Sequence, residues 1–181
     1  MVLAFDALGD KRNKDPAPKW RWDLILPELT IGRTPQVIGF EPVLSLGKPT
    51  FVENVSLPFI NVAAQPKFYG GRNRYYPTYA DIQSMSVTFV EKTDYDVLRY
   101  MLSWQSLVIS HVGLFYGVKA DYNKEIVVRA FNIIDSSRPV MIFRANGWPT
   151  NIANIEYSYE ESAAVTFSVE FALDTVDPQT L

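Results

Sequence analysis

The stretch that most constrains this chain runs from Val165 to Asp174. Val165, Phe167, Val169, Phe171 and Leu173 take every second position, and Thr166, Ser168, Glu170 and Asp174 lie between or after them. A period of two is that of a strand with one face in a core, since a helix would bring its apolar residues round every three or four positions. Upstream, Ile155, Tyr157 and Tyr159 alternate less cleanly with Asn154, Glu156 and Ser158, and Glu160, Glu161 and Ser162 separate the two runs as a polar turn does. The segment from Gly147 to Asp174 therefore predicts a turn at Gly147–Asn151, then a β-hairpin of Ile152–Tyr159 with Val165–Asp174.

The rest of the chain has the means to complete a β domain around that hairpin. Its 181 residues are 48% hydrophobic, enough for a sizeable core, and its 10 Tyr and 11 Phe, with abundant Val, Thr and Ile, favour strands. The simplest division is an N-terminal arm at 1–19 and one β-sandwich domain at 20–181. Residues Asp10–Lys19 (DKRNKDPAPK) read as an irregular polar arm, and the apolar tip before it, with Phe5, invites a partner. That tip lacks a basic start and is broken by Asp6, so it does not read as a secretory signal, and no apolar run approaches the ~20 residues of a membrane span. The chain is expected to be intracellular when made.

Trp20–Leu26 alternates as a first strand. Between Pro27 and Pro49, Gly and Pro break the pattern into turns, with room for one short strand. Phe51–Phe59 and Ile82–Glu91 resume the alternation. From Asp94 to Ile109 the period changes: Val97, Leu98, Met101, Leu102, Leu107 and Val108 fall three and four apart and predict one helix. Thr93 followed by Asp96 has the spacing of a capping arrangement, and Asp94 and Asp96 suit the positive end of the helix dipole, which gives the pair a structural explanation in place of a catalytic one. After a polar loop at Asp121–Lys124 come strands at Glu125–Ile134 and Val140–Arg144. The order is several strands, one packed α-helix (about residues 94–109), then four strands. It predicts a mainly β fold, an antiparallel sandwich or barrel with one helix on it.

The least typical stretch is Lys67–Tyr79 (KFYGGRNRYYPTY), with three basic side chains, five aromatics and a Gly-Gly pair that permits positive φ. Arg72 and Arg74 on phosphates with tyrosines stacked on bases would make it a single-strand nucleic-acid contact. The other reading is a long hairpin or extended loop at a protein–protein contact, where Tyr and Arg are also enriched. The formal net charge of −3 favours the interface, because bulk binding of nucleic acid needs an excess of Lys and Arg. Lys67, Tyr69, Arg72, Arg74, Tyr75 and Tyr76 are its candidate residues.

Catalytic and cofactor chemistry finds no footing. With no cysteine, a disulfide scaffold, a thiolate site and a Cys nucleophile are excluded together, and His111 is the only histidine. No phosphate-binding glycine loop and no metal-ligand spacing occur, and Glu160 and Glu161 are adjacent, so they diverge and make a poor acid–base pair. No cofactor or metal is expected.

Beyond this point a resemblance carries the reading. Trp148-Pro149-Thr150-Asn151 ahead of the alternating strands ending Phe171-Ala172-Leu173-Asp174, the helix containing Trp104-Gln105, and the apolar tip leading through Pro18 to an aromatic first strand resemble the tail-tube proteins of contractile-tailed, T-even-like bacteriophages. Pro27–Pro49 departs from that pattern. The resemblance implies antiparallel domains assembled into hexameric rings that stack around a lumen for genomic DNA. It implies contacts with further copies of the chain, tail sheath, baseplate tube-initiator and tail terminator proteins, transient passage of double-stranded DNA, and no membrane. The location implied is the virion tail, after assembly in the host bacterial cytoplasm. Thr166, Ser168, Glu170 and Asp174 would then face the lumen, and Phe5 and the Lys67–Tyr79 stretch would meet neighbouring subunits. A baseplate tube-initiator of the same fold, or the tube subunit of an injection or type VI apparatus, is the alternative.

Overall fold

The alternating stretch forms the last and longest strand of a six-stranded antiparallel sheet. The structure, a computed structural model, describes residues 22–30, 42–46, 52–91, 93–110, 115–131, 138–155 and 165–180. In chain order its elements are β1 (Trp22–Ile25), β2 (Val52–Ser56), β3 (Ile60–Tyr69), β4 (Arg72–Ile82), β5 (Met85–Val90), α1 (Asp96–Val108), α2 (Lys119–Tyr122), β6 (Lys124–Phe131), β7 (Pro139–Ile152) and β8 (Thr166–Thr180). The sheet runs β1-β6-β7-β8-β5-β2 and is nearly closed, while β3 and β4 pair only with each other in a separate hairpin. The mainly β, antiparallel architecture with a packed helix is the one that the alternation predicts.

One core ties the sheet to α1. The inward positions Leu24, Met85, Val87, Phe89, Ile126, Val128, Phe143, Ala145, Phe167, Val169 and Phe171 are buried. Val97, Tyr100, Met101, Trp104 and Leu107 of α1 close the layer at helical spacing. Trp104 lies at its centre, with ring centroids 6.0 Å from Tyr100 and 5.6 Å from Phe171. Burying a side chain of this size contributes about 4 to 6 kcal/mol at 25 cal/mol per Å². Its indole N–H donates to the Tyr122 carbonyl at 2.7 Å, so the ring also fixes α2.

Several expectations are corrected. Gly147–Asn151 is not a turn, because β7 continues through it to Ile152. Its glycine and proline mark bulges: the β7–β8 register shifts between Asn146 and Gly147 and again between Pro149 and Asn151. A Cβ on Gly147 would stand 2.3 Å from the Ala172 carbonyl oxygen, so only glycine fits where the strands approach. The first arm of the C-terminal hairpin is therefore β7 and not Ile152–Tyr159; residues 153–155 are outside any strand, and 156–164 lie outside the described residues. It follows that three strands, not four, succeed α1 among the described residues.

The helix is not capped by Thr93. Tyr95 takes the N-cap position at φ 54 with no side-chain cap bond of its own, and the carboxylate of Glu91 accepts from the Val97 and Leu98 amides at 3.3 and 2.8 Å. The polar loop at Asp121–Lys124 is instead the end of α2 and the start of β6, and Ile82 closes β4, leaving β5 to begin at Met85. In 27–30 and 42–46 the backbone forms no strand, and Leu29 N–H donates to the Leu44 carbonyl.

Candidate assembly surfaces

The hairpin at 60–82 is where this fold departs most from a self-contained domain. Its strands, 10 and 11 residues long, turn at Gly70 and Gly71, both at positive φ. Phe68, Tyr69, Tyr75 and Tyr79 are 68–73% exposed, and Ile60 and Val62 at its base exceed half exposure. A two-stranded ribbon that is not hydrogen-bonded into a larger sheet is marginal in water, and apolar surface on this scale is of the kind that interaction sites present.

The register divides the hairpin into two faces. Lys67 pairs with Arg74, Tyr69 with Arg72 and Gln65 with Tyr76, so one face is cationic and aromatic. Phe68 pairs with Asn73, Pro66 with Tyr75 and Ala64 with Pro77, so the other carries no charge. Five of the six described candidate contacts, Lys67, Tyr69, Arg72, Arg74 and Tyr76, share the first face, with Lys67 5.6 Å from the Tyr76 ring centre, and Tyr75 lies on the second. Phe5, the N-terminal arm and His111 lie outside the described residues.

The face of the main sheet opposite the core has two halves. Along β8 and β5, Glu170 pairs with Ser86, Ser168 with Thr88 and Thr166 with Val90; Asn54 and Ser56 of β2 continue the rows. Thr88 and Ser168 share a hydroxyl hydrogen bond at 3.0 Å. Among these register-paired positions Glu170 is the one ionised side chain, and it is exposed. In the other half, charges are matched across strands: Asp23 of β1 with Arg129 of β6, and Glu125 of β6 with Arg144 of β7 at 3.1 Å. The bond to Asp23 holds the Arg129 guanidinium above its ordinary pKa.

Asp174 stands in the β8 bulge, opposite the shift at Gly147. Its carboxylate accepts from Lys119 at 2.6 Å and from the Asn123 amide at 2.8 Å, and that first bond raises the Lys119 pKa. Lys119 also lies 5.7 Å from the Trp148 ring, whose other neighbour, Tyr122, is 5.3 Å away edge-on. The motif thereby acquires a physical role: Trp148 holds α2 against β7, Pro149 and Thr150 form the bulge with the Thr150 hydroxyl donating to the Glu170 carbonyl at 3.1 Å, and Asn151 pairs with Glu170. Gln105 contributes its backbone carbonyl, which accepts the Ile109 N–H that ends α1.

A second apolar group went unmarked by the sequence pattern. Phe115, Tyr116 and Val118, just beyond α1, are 69, 82 and 55% exposed, and no alternation distinguishes them from buried residues. Among the described residues no group of three or more His, Cys, Asp and Glu could hold a metal ion, and no helix is long and apolar enough to cross a membrane.

Comparison with known proteins identifies this architecture. Solved structures of similar fold include the anti-feeding prophage cap, the AFP tube terminating cap, at TM-score 0.64 and 14% identity over 93% of both chains. The sheath/tube terminator of the extracellular contractile injection system PVC in its extended state matches at 0.64 and 14%, over 93% of this chain and 99% of that one. The PVC sheath-tube complex matches at 0.62 and 14%, over 96% and 97%. No curated protein matches the sequence. The family model described as phage tail tube protein matches residues 49–175, which take in the hairpin, α1 and most of β8. This chain belongs to the phage tail tube protein family.

Proposed function

We propose that the chain is the repeating, non-catalytic subunit of a contractile-tail tube, copies of which close into hexameric rings that stack around a lumen for double-stranded DNA. The observation that carries this is the β3–β4 hairpin, a ribbon about 33 Å long at ~3.3 Å per residue that pairs with nothing else in its own chain and exposes aromatics. A head-to-tail contact forms a ring when the rotation closes, and a second, axial contact then forms a filament. The hairpin, with Lys67, Tyr69, Arg72, Arg74, Tyr75 and Tyr76, supplies the first kind of surface, and the arm at 1–19 with Phe5 reaches a neighbour. Sheath, tube-initiator and terminator proteins would bind the tube's outside and ends in a virion assembled in the bacterial cytoplasm.

The hydroxyl-bearing half of the sheet is the face we assign to the lumen, through Thr166, Ser168, Glu170 and Asp174. It carries no Lys or Arg at the paired positions of β8, β5 and β2, so nothing there would hold a phosphate backbone in transit. Of these four, Asp174 is matched by Lys119, which leaves Glu170 as the carboxylate without an ion pair among the described residues. Negative-stain images of the purified chain test the assembly: hollow tubes or rings are expected, and dispersed monomers at high concentration would overturn it.

A second reading keeps the fold and changes the place. The similar folds occur in a tube terminating cap and in a sheath-tube complex of injection systems, which favours weighing a single baseplate initiator ring, or an injection tube, against the main phage tube. Copies per particle separate the first from the main tube, and neighbouring capsid or secretion genes separate the second.

A further inference from the structure

We infer that the uncharged face of the β3–β4 hairpin docks on the Phe115–Tyr116–Val118 patch of a second copy of this chain. The inference rests on the tube reading and names the two surfaces that meet. Phe68 and Tyr75, on the uncharged face, are 73 and 72% exposed, and the patch residues 69, 82 and 55%. Both groups are exposed in the same chain, so neither covers the other within one copy. Taking about 200 Å² for a fully exposed aromatic side chain, the two surfaces together offer on the order of 700 Å², nearly half of a standard interface of about 1,600 Å². The partner is a second copy because, among the described residues, the hairpin and the patch hold all the large apolar residues left exposed except Phe59 and Val140.

Charge points the same way. Residues 60–82 hold Lys67, Arg72, Arg74 and Asp81, a net +2, so with −3 for the whole chain the remainder carries −5. Lys67 and Arg74 face each other directly, an arrangement that costs stability until anions approach. Laying the uncharged face on the apolar patch directs the cations of the other face away from Phe115, Tyr116 and Val118, so none is buried against them and all are left to meet a further acidic copy. The two patches differ, so the contact is head-to-tail and can repeat.

The absence of cysteine makes the test free of background. Full-length Tyr75→Cys and Tyr116→Cys variants are mixed, allowed to assemble and treated with a short bis-maleimide. A covalent dimer is expected in the mixture, with little from either variant alone, and little when Arg74→Cys on the cationic face replaces Tyr75→Cys. Tyr116→Ser should leave the circular dichroism and melting of the subunit unchanged and raise the concentration needed for assembly roughly tenfold or more. If the unmodified chain forms no assembly, the tube reading fails and this contact with it. If tubes form but Arg74→Cys cross-links and Tyr75→Cys does not, or neither does, the tube reading stands and the contact is wrong. Protection of Tyr116→Cys only after sheath is added would likewise overturn it.

Discussion

Replacing Glu91 by alanine should cost this fold about 2 to 4 kcal/mol. The residue is 9% exposed and its carboxylate accepts two amides of the first helical turn, Val97 at 3.3 Å and Leu98 at 2.8 Å. Losing a cap costs about 0.5 to 2 kcal/mol, and hydrogen bonds to a charged group contribute about 1.5 to 3. The terms overlap, since the charge at the positive end of the helix acts through the same bonds. Because Val97 is buried, water replaces only part of what is lost. Against a total stability of about 5 to 15 kcal/mol that loss is large. Urea unfolding of wild type, Glu91→Ala, Glu91→Gln and Thr93→Ala, at one protein concentration where the subunit is monomeric, measures it. Glu91→Gln keeps an acceptor oxygen and should lose about 1 kcal/mol, and Thr93→Ala less than about 0.5. A Thr93→Ala loss greater than that of Glu91→Ala would restore the capping arrangement that local spacing predicts and refute the structural assignment.

Gly147→Ala should destabilise by about 1 to 3 kcal/mol, read from the same unfolding curves, because the new Cβ meets the Ala172 backbone carbonyl, which cannot swing aside as the nearby Leu173 side chain can. Burial pushes the Tyr100 phenol well above its ordinary pKa. The folded state therefore keeps that proton when the unfolded chain releases it, so the contribution is complete below about pH 10 and declines above it, by up to about 1.4 kcal/mol per pH unit. Tyr100→Phe should flatten this alkaline decline in a pH series of melts while losing about 1 kcal/mol at neutral pH with the 2.6 Å bond to the Pro27 carbonyl. Glu170→Lys, at an exposed position, should change subunit stability by less than about 0.5 kcal/mol yet slow DNA release from assembled particles, measured as dye-accessible DNA after triggering.

What the sequence made legible follows from where burial is one-sided. β8 was readable because its core-facing Phe167, Val169 and Phe171 alternate with Thr166, Ser168 and Glu170, and α1 because its apolar positions repeat at three and four. Gly147 and Pro149 misled because the residues that make turns also make bulges, and only the partner strand distinguishes them. The cap escaped because Glu91 lies upstream of the helix and returns to it through Tyr95 at positive φ. Lys119 and Asp174 are brought together by the fold across the β8 bulge, and no local pattern announces such a pair. For the hairpin, both faces are exposed on a ribbon that pairs with no other strand of its own chain, so alternation of burial within one subunit carries no information about it.

A cryo-electron reconstruction of the assembled protein decides whether this chain builds a tube. Stacked six-membered rings are expected, with Glu170 at the bore and each β3–β4 hairpin buried against another copy. A chain that stays monomeric at high concentration, or a lattice with Glu170 on its outer wall and the hairpins in solvent, would contradict this arrangement.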